Sequence, residues 1–266
     1  MSANGLLSER ELFERIERLA SLDRPSASPG ELAAGEVIAG ELRELGAEVR
    51  LEHERVHGTH WWPTGLPTAL GALAGLVASR GGLVRRLLGA GLAALGAATV
   101  VDDLGGGSRW LRRRVLPQRD TANVVAEFGD PAAPRTVLIT AHHDAAHSGL
   151  IFHPELARAA LRRFPALRKH ANTSPPLMWG AVGGPALVVL GALAGRRAPL
   201  ALGTAISAGY AAAFVDIGLR ATVPGANDNL TGVAALLSLA HALAEAGGPP
   251  QGIRMILLSA GAEESH

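Results

Sequence analysis

The chain has 266 residues and a net charge of +1; 48% of its residues are apolar but only 4% aromatic, so its hydrophobicity comes from Ala, Leu, Val and Gly. Nearly cancelling charge, with no basic stripe interleaved with aromatics, excludes a nucleic-acid surface. The lack of Cys excludes disulfides and thiolate metal sites, so any zinc must be held by His and carboxylates.

The amino terminus places Glu9, Arg10, Glu11, Glu14 and Arg15 where a signal peptide needs an apolar core, so no cleaved secretion signal is expected. From Ser8 to Leu22 the apolar residues Leu12, Phe13, Ile16 and Leu19 recur at helical spacing, with Ser8 and Glu11 forming a capping box. The stretch RPSASPG reads as a turn, and a second helix is expected from about Glu31 to Leu45, stopping at Gly46. A strand AEVRLEHE follows, alternating in and out. His53, His57 and His60 come next at no ligand-like spacing and read as loop histidines.

Four almost uncharged runs then interrupt the chain: Leu66–Ser79 and Leu87–Val101, and later Leu177–Gly195 and Ala198–Leu219. They predict two helical hairpins, the first pair short for a membrane span and the second adequate. Trp61, Trp62, Trp110 and Trp179 fit one interfacial belt, and Gly71, Gly75, Gly89, Gly91, Gly183 and Gly184 would let helices approach closely. Membrane insertion is expected, against the alternative of apolar hairpins covering a soluble core or forming a dimer. The hairpin tips carry Arg80, Arg85, Arg86, Arg196 and Arg197; the other side carries Arg109, Arg112, Arg113, Arg114, Arg158, Arg162, Arg163, Arg168 and Lys169, and that larger count puts the globular part on the cytoplasmic side.

Between the hairpins, NVVAEF and TVLITAHHD are two strands joined by a Gly-Asp-Pro turn, the second apolar enough to be covered on both faces. His142, His143 and Asp144 stand at its carboxyl end, where open α/β sheets place their sites. A carboxylate two residues after an imidazole can fix its tautomer while the other ring nitrogen ligates a metal; a solvated histidine is the plainer reading. After the second hairpin, GANDNLTGVAALLSLAHALAEAGG gives a tight turn with Asp228 and a helix capped by Thr231 or Asn229. IRMILLSAGAEESH then gives one more buried strand ending in Glu263 and Glu264. Paired zinc ions need a bridging carboxylate, terminal ligands and a further carboxylate as base; Asp228 suits the bridge, and the two glutamates divide the remaining roles.

These stretches, NVVAEF, VLITAHHD, GANDNLTGVAALLSLAHAL and IRMILLSAGAEES, resemble metallopeptidase family 28, the co-catalytic zinc aminopeptidases with carboxypeptidase-like and glutaminyl cyclase members. The resemblance implies an α/β fold with a mixed, mostly parallel sheet flanked by helices, two Zn²⁺ ions and a peptide substrate. It makes His142 and Glu264 ligands of different zinc ions, Asp228 the bridging ligand, Asp144 the orienting partner of His142, and Glu263 the general base. It also implies a cis peptide after Asp228. The apolar hairpins resemble those of membrane-associated bacterial members. A further Asp and His that the family places downstream are not found before His266, so this chain alone is expected to be inactive, as a fragment or a decayed relative. The expected organisation is a peptidase-like domain in three parts, 1–64, 105–175 and 221–266, interrupted by apolar hairpins at 65–104 and 176–220. A zinc-dependent exopeptidase is the first reading; a non-catalytic membrane protein that binds a partner or peptide, and a glutaminyl cyclase-like transferase, are the alternatives.

Overall fold

The computed structural model describes residues 5–59, 61–163, 165 and 178–263. They form two compact units, one drawn from residues 5–59, 117–147 and 221–263, the other from residues 61–116, 148–163, 165 and 178–220. Residues 105–116 and 148–163, expected within the 105–175 segment of the peptidase-like part, therefore fold with the apolar helices instead.

The first unit opens with α1 (Glu9–Ala20), whose capping box is complete: the Ser8 N–H donates to Glu11 Oε2 at 2.8 Å and the Glu11 N–H to Ser8 Oγ at 3.4 Å. Helix α2 (Pro29–Glu44) starts two residues earlier than expected because Ser28, read as part of a turn, caps it through the Glu31 N–H. Four strands, β1 (Glu48–Val56), β2 (Arg119–Phe128), β3 (Arg135–His142) and β4 (Ile253–Ala260), make one sheet in the order β1-β2-β4-β3. The sheet is mixed, as expected, but less parallel: β3 pairs parallel with β4, while β1 with β2 and β2 with β4 are antiparallel. Strands β2 and β3, consecutive in sequence, are separated by β4.

Successive residues of a strand point to opposite faces. Val124, Ala126 and Phe128 of β2 join Ile38 and Leu42 of α2, Leu19 of α1 and Leu230, Val233 and Leu237 in the core. Helix α9 (Thr231–Glu245) contributes most of that last group and packs on β3, β4 and α1. The opposite face carries Glu127 between Arg50 and Arg254. β3 is not covered on both faces: it is the outer strand among the described residues, and Val137 and Leu138 are exposed, the latter at 57%. Only its carboxyl end, Ala141 and His142, is buried.

The second unit packs α3 (Trp61–Ser79) on α4 (Leu83–Leu104) and α8 (Arg197–Leu219), and α7 (Trp179–Ala194) on α8 and α4; α5 (Trp110–Val115) and the exposed α6 (Pro154–Arg163) flank them. Helices α4 and α8, with 22 and 23 residues, are long and apolar enough to cross a membrane, whereas α7 has 16, so the two longest helices fall in different hairpins. Small residues permit the packing: a Cβ on Gly75 would lie 2.0 Å from Thr204 Oγ1, and one on Gly184 2.6 Å from Ser207 Oγ, while Gly91 and Gly183 face open space. The four tryptophans expected in one belt differ in exposure. Trp179 is 72% exposed and Trp110 40%, but Trp61 is buried with Val100, Ala181, Phe214 and Ile217 because Gly218 leaves room for its ring. Arg112 drops out of the charge count as well, since it is buried and bidentate to Asp103 at 2.8 and 2.9 Å.

Candidate metal centre

The site is assembled at the carboxyl end of β3. One β-residue step past His142, the His143 N–H donates to the Ala260 carbonyl at 2.9 Å, and the Ala145 N–H donates to the Arg24 carbonyl at 2.8 Å. Residues 142–145 are thus held between β4 and the turn before α2. His142 Nδ1 lies 3.1 Å from Asp144 Oδ1, and Ser26 Oγ donates to Asp144 Oδ2 at 2.5 Å. With its carboxylate fully buried, Asp144 fixes the imidazole through Nδ1 and leaves Nε2 to face Asp228 Oδ1 at 3.2 Å and Glu263 Oε2 at 3.8 Å.

Asp228 comes from the turn Ala226–Leu230, where the Asp228–Asn229 peptide is cis, as the resemblance implied. Gly225 opens this turn at φ +62°, and a Cβ there would lie 3.0 Å from both Arg24 Nη2 and the Asp228 carbonyl, so only Gly suits it. Helix α9 follows at Thr231, yet neither expected cap acts: the N-cap is Leu230, without a side-chain bond, and the Thr231 hydroxyl donates back to the Asn227 carbonyl at 3.2 Å. The Asp228 side chain is 77% exposed and that of Glu263 57%, so both reach solvent at the mouth of the site.

Burial disfavours the His142 imidazolium, but Asp144 by hydrogen bond and charge, with Glu263 and Asp228 adding to it, outweighs burial and raises its pKa to about 9. His143 behaves oppositely. Its ring is fully buried, with Nδ1 3.0 Å from Ser259 Oγ and Nε2 unpartnered among the described residues, and burial lowers its pKa to about 4 despite the charge of Asp144.

The sequence did not single out the residues behind the site. Arg24 is fully buried and donates to the carbonyls of His143 and, at 2.6 Å, of Pro224; burial lowers its pKa and Asp144 opposes that. Glu31, also fully buried, accepts the N–H groups of Ala27 at 2.5 Å and Ala262 at 3.0 Å and the Thr121 hydroxyl at 2.5 Å. Asn123 Oδ1 accepts the Gly261 N–H at 3.0 Å. Glu31 and Asn123 therefore hold the turn that presents Glu263. A signal existed: Glu31 lies at helical spacing with Ala34, Gly35, Ile38 and Leu42, a carboxylate on an otherwise apolar face.

Zinc bond lengths of about 2.0–2.2 Å to nitrogen and oxygen put two ligands of a tetrahedral ion about 3.3–3.6 Å apart. The 3.2 Å hydrogen-bond contact between His142 Nε2 and Asp228 Oδ1 is close to the short end of that range. Among the described residues no group of three or more His, Asp and Glu side chains completes a metal site. Glu264, expected as a ligand, and His266 lie outside the described residues.

A four-stranded mixed sheet flanked by helices, with a histidine and carboxylates gathered at its strand ends, defines an α/β domain with a candidate site at one sheet edge. Residues 211–266, which contain the Asp228 turn, α9, β4 and Glu263, match the profile of Peptidase family M28. The structure is similar to a Zn-dependent exopeptidase from Parabacteroides distasonis, at 13% identity and a TM-score of 0.47, over 99% of this chain and 49% of that one. It is also similar to Porphyromonas gingivalis glutaminyl cyclase, at 13% identity and a TM-score of 0.45, over 98% of this chain and 49% of that one. A zinc aminopeptidase from Bacillus subtilis matches at 12% identity and a TM-score of 0.43, over 96% of this chain and 62% of that one. The chain spans about half the length of the first two. No curated protein sequence matches it.

Proposed function

We propose that the protein is a zinc-dependent exopeptidase of aminopeptidase type, held at a membrane by its apolar helices with the globular part on the cytoplasmic side. The observation that carries the catalytic reading is the 3.2 Å approach of His142 Nε2 to Asp228 Oδ1, with Asp144 on the far ring nitrogen and Glu263 3.8 Å away. In this reading His142 and Asp228 would hold one zinc ion, and Asp228 and Glu264 a second. Zinc supplies Lewis acidity for the scissile carbonyl and lowers the pKa of water. Asp144 keeps the His142 ring oriented, and Glu263, solvent-exposed and held by a braced turn, accepts the proton of the attacking water and returns it to the leaving amine. The substrate class is a peptide with a free amino terminus.

Substitution of the paired glutamates in the protein expressed from its gene tests this division. Glu263→Gln removes a base and no ligand, so zinc content should persist while turnover of an unblocked peptide falls by about 10²-fold or more. Glu264→Gln withdraws a charged ligand, and because an amide is a poor zinc ligand, metal content and activity should fall together. Loss of metal from the Glu263 variant and retention in the Glu264 variant would exchange the two roles. Unchanged hydrolysis in both would remove this site from the reaction, and cyclisation of amino-terminal glutaminyl peptides without hydrolysis would replace the exopeptidase by a cyclase.

A further inference from the structure

The hairpin tips of the apolar unit have a charge pattern that the peptidase reading does not use. No Asp or Glu occurs in residues 56–101 or 156–215, yet the tips carry Arg80, Arg85, Arg86, Arg196 and Arg197. Arg86 is committed to structure. Its Nε donates to the Ala192 carbonyl at 2.7 Å and its Nη2 to the Leu193 carbonyl at 2.8 Å, so it satisfies the carboxyl end of α7, and its guanidinium packs over Gly195, where a Cβ would lie 2.9 Å from Nη2. Arg196 and Arg197 are exposed and pair with no carboxylate among the described residues. They stand at the start of the 23-residue helix α8, whose N-cap, Arg196, makes no side-chain capping bond. Pro199 in the first turn lacks an N–H, but those of Arg197 and Ala198 face the same end, and the helix dipole favours an anion there.

Beside these arginines opens a cleft of about 590 Å³, lined by Arg86, Arg196 and Arg197 and, for the greater part, by small and apolar residues of α3 and α8 such as Leu76, Leu200 and Ala201. That volume is in the range of small-ligand sites. A free inorganic anion would satisfy the arginines and leave the apolar walls in water; a neutral apolar molecule would fill the walls and leave the cations unpaired. An amphiphile with an anionic head satisfies both.

We infer that this cleft binds one phospholipid with a net negative headgroup, its phosphate at Arg196, Arg197 and the start of α8 and an acyl chain between α3 and α8. The inference extends the membrane part of the function proposed above, and the two fail separately: carbonate extraction tests insertion, and lipid selectivity tests the cleft. The experiment is native mass spectrometry of the detergent-purified protein with phosphatidylglycerol, phosphatidylcholine or inorganic phosphate added, together with its thermal midpoint. One phosphatidylglycerol per chain should be retained under conditions that strip phosphatidylcholine, and it alone should raise the midpoint. Arg196→Gln combined with Arg197→Gln should weaken retention by roughly 30-fold, the weight of two basic residues near an anionic lipid. Both side chains are exposed, so this variant keeps its fold. Ala201→Phe, which fills the cleft and keeps every arginine, should also displace the lipid. Equal retention of both lipids, the same stabilisation by inorganic phosphate, or undiminished phosphatidylglycerol binding in the double variant would each overturn the proposal.

Discussion

Glu31→Ala removes the acceptor of three buried hydrogen bonds. Oε2 takes the N–H groups of Ala27 and Ala262, and Oε1 takes the Thr121 hydroxyl, in a place with no solvent exposure. The two N–H groups point in fixed directions, whereas the hydroxyl can rotate to another acceptor. Two stranded donors at about 1–3 kcal/mol each give an expected loss of about 2–6 kcal/mol. Glu31→Gln separates shape from charge. A Gln oxygen in the place of Oε2 keeps both N–H bonds, and its amide can donate to Thr121 Oγ1, which accepts as well as donates. Burial raises the Glu31 pKa, against the hydrogen bonds of Thr121 and Ala27 that lower it, so burying the charge carries a cost that Gln avoids. The Gln variant should therefore stay within about 1 kcal/mol of the parent.

Amide hydrogen exchange read by mass spectrometry reports this where it matters, at Ala262 beside the proposed base. In the Ala variant exchange at Ala27 and Ala262 should accelerate by about 30-fold or more, the equivalent of about 2 kcal/mol, with α4 in the other unit unaffected. Peptide turnover should fall with the Ala variant and survive with Gln. Unchanged exchange at Ala262 in Glu31→Ala would show that Glu31 does not hold that turn. Equal damage from Gln and Ala would show that the negative charge is what the site requires.

Three further outcomes follow from the site and the helices. His143 takes its proton at about 6.5 when unfolded and at about 4 when folded, so acidification through that window should remove about 3 kcal/mol of stability, and His143→Gln should flatten this limb of a pH–stability curve; an unchanged slope would refute its buried neutral state. The metal-free His142, with its folded pKa raised to about 9, contributes stability that is full below about 6.5 and is lost as pH rises through 9. Zinc must displace that proton, so calorimetry at pH 7 in buffers of different ionisation enthalpy should register its release, and zinc binding without it would remove His142 from the ligands. The protein should stay with membranes through a high-salt or carbonate wash and need detergent for release, because salt does not screen apolar burial; recovery as a soluble, monodisperse monomer would withdraw the membrane proposal.

The sequence carried those features whose cause is local. Capping by Ser8 and Glu11, the stop at Gly46, the strand spans and the placing of His142 and Asp144 two residues apart all depend on neighbours in the chain. What was not legible depends on partners far away. Apolar content suggested that β3 is covered on both faces, but composition does not record which strand is outermost. The insertion of β4 between β2 and β3 is likewise a matter of long-range pairing. Ser26, Arg24 and Glu31 looked like turn and surface residues because their partners, Asp144, His143 and Ala262, lie more than a hundred positions away in sequence. Trp61 and Arg112 match the residue types of a membrane interface, and only packing against Gly218 and Asp103 turns them inward.

The same long-range pairing explains how one chain can carry a precise site and two apolar insertions. The first insertion leaves the sheet at Val56 and returns at Arg119, and these two residues are direct partners across β1 and β2. The second leaves after His147 and returns at Thr222, which pair across an antiparallel bridge, and the Val223 N–H donates to the Ala146 carbonyl at 2.9 Å. Thr222 also bonds Asp23, and Arg24 holds the Pro224 carbonyl. Each insertion is thus a loop closed at its base, and lengthening such a loop costs only about 0.6 kcal/mol per doubling. The second base lies in sequence between His142–Asp144 and Asp228, so the clamp at residues 146–147 and 222–224 ties together the two segments whose side chains approach at 3.2 Å. Arg24 belongs to this clamp and to the floor of the site at once, since its two terminal nitrogens reach Pro224 and His143. A buried cation is an expensive way to join two loops. Its presence here is accounted for by the carbonyls it pairs and by the charge of Asp144 beside it, which burial alone would disfavour.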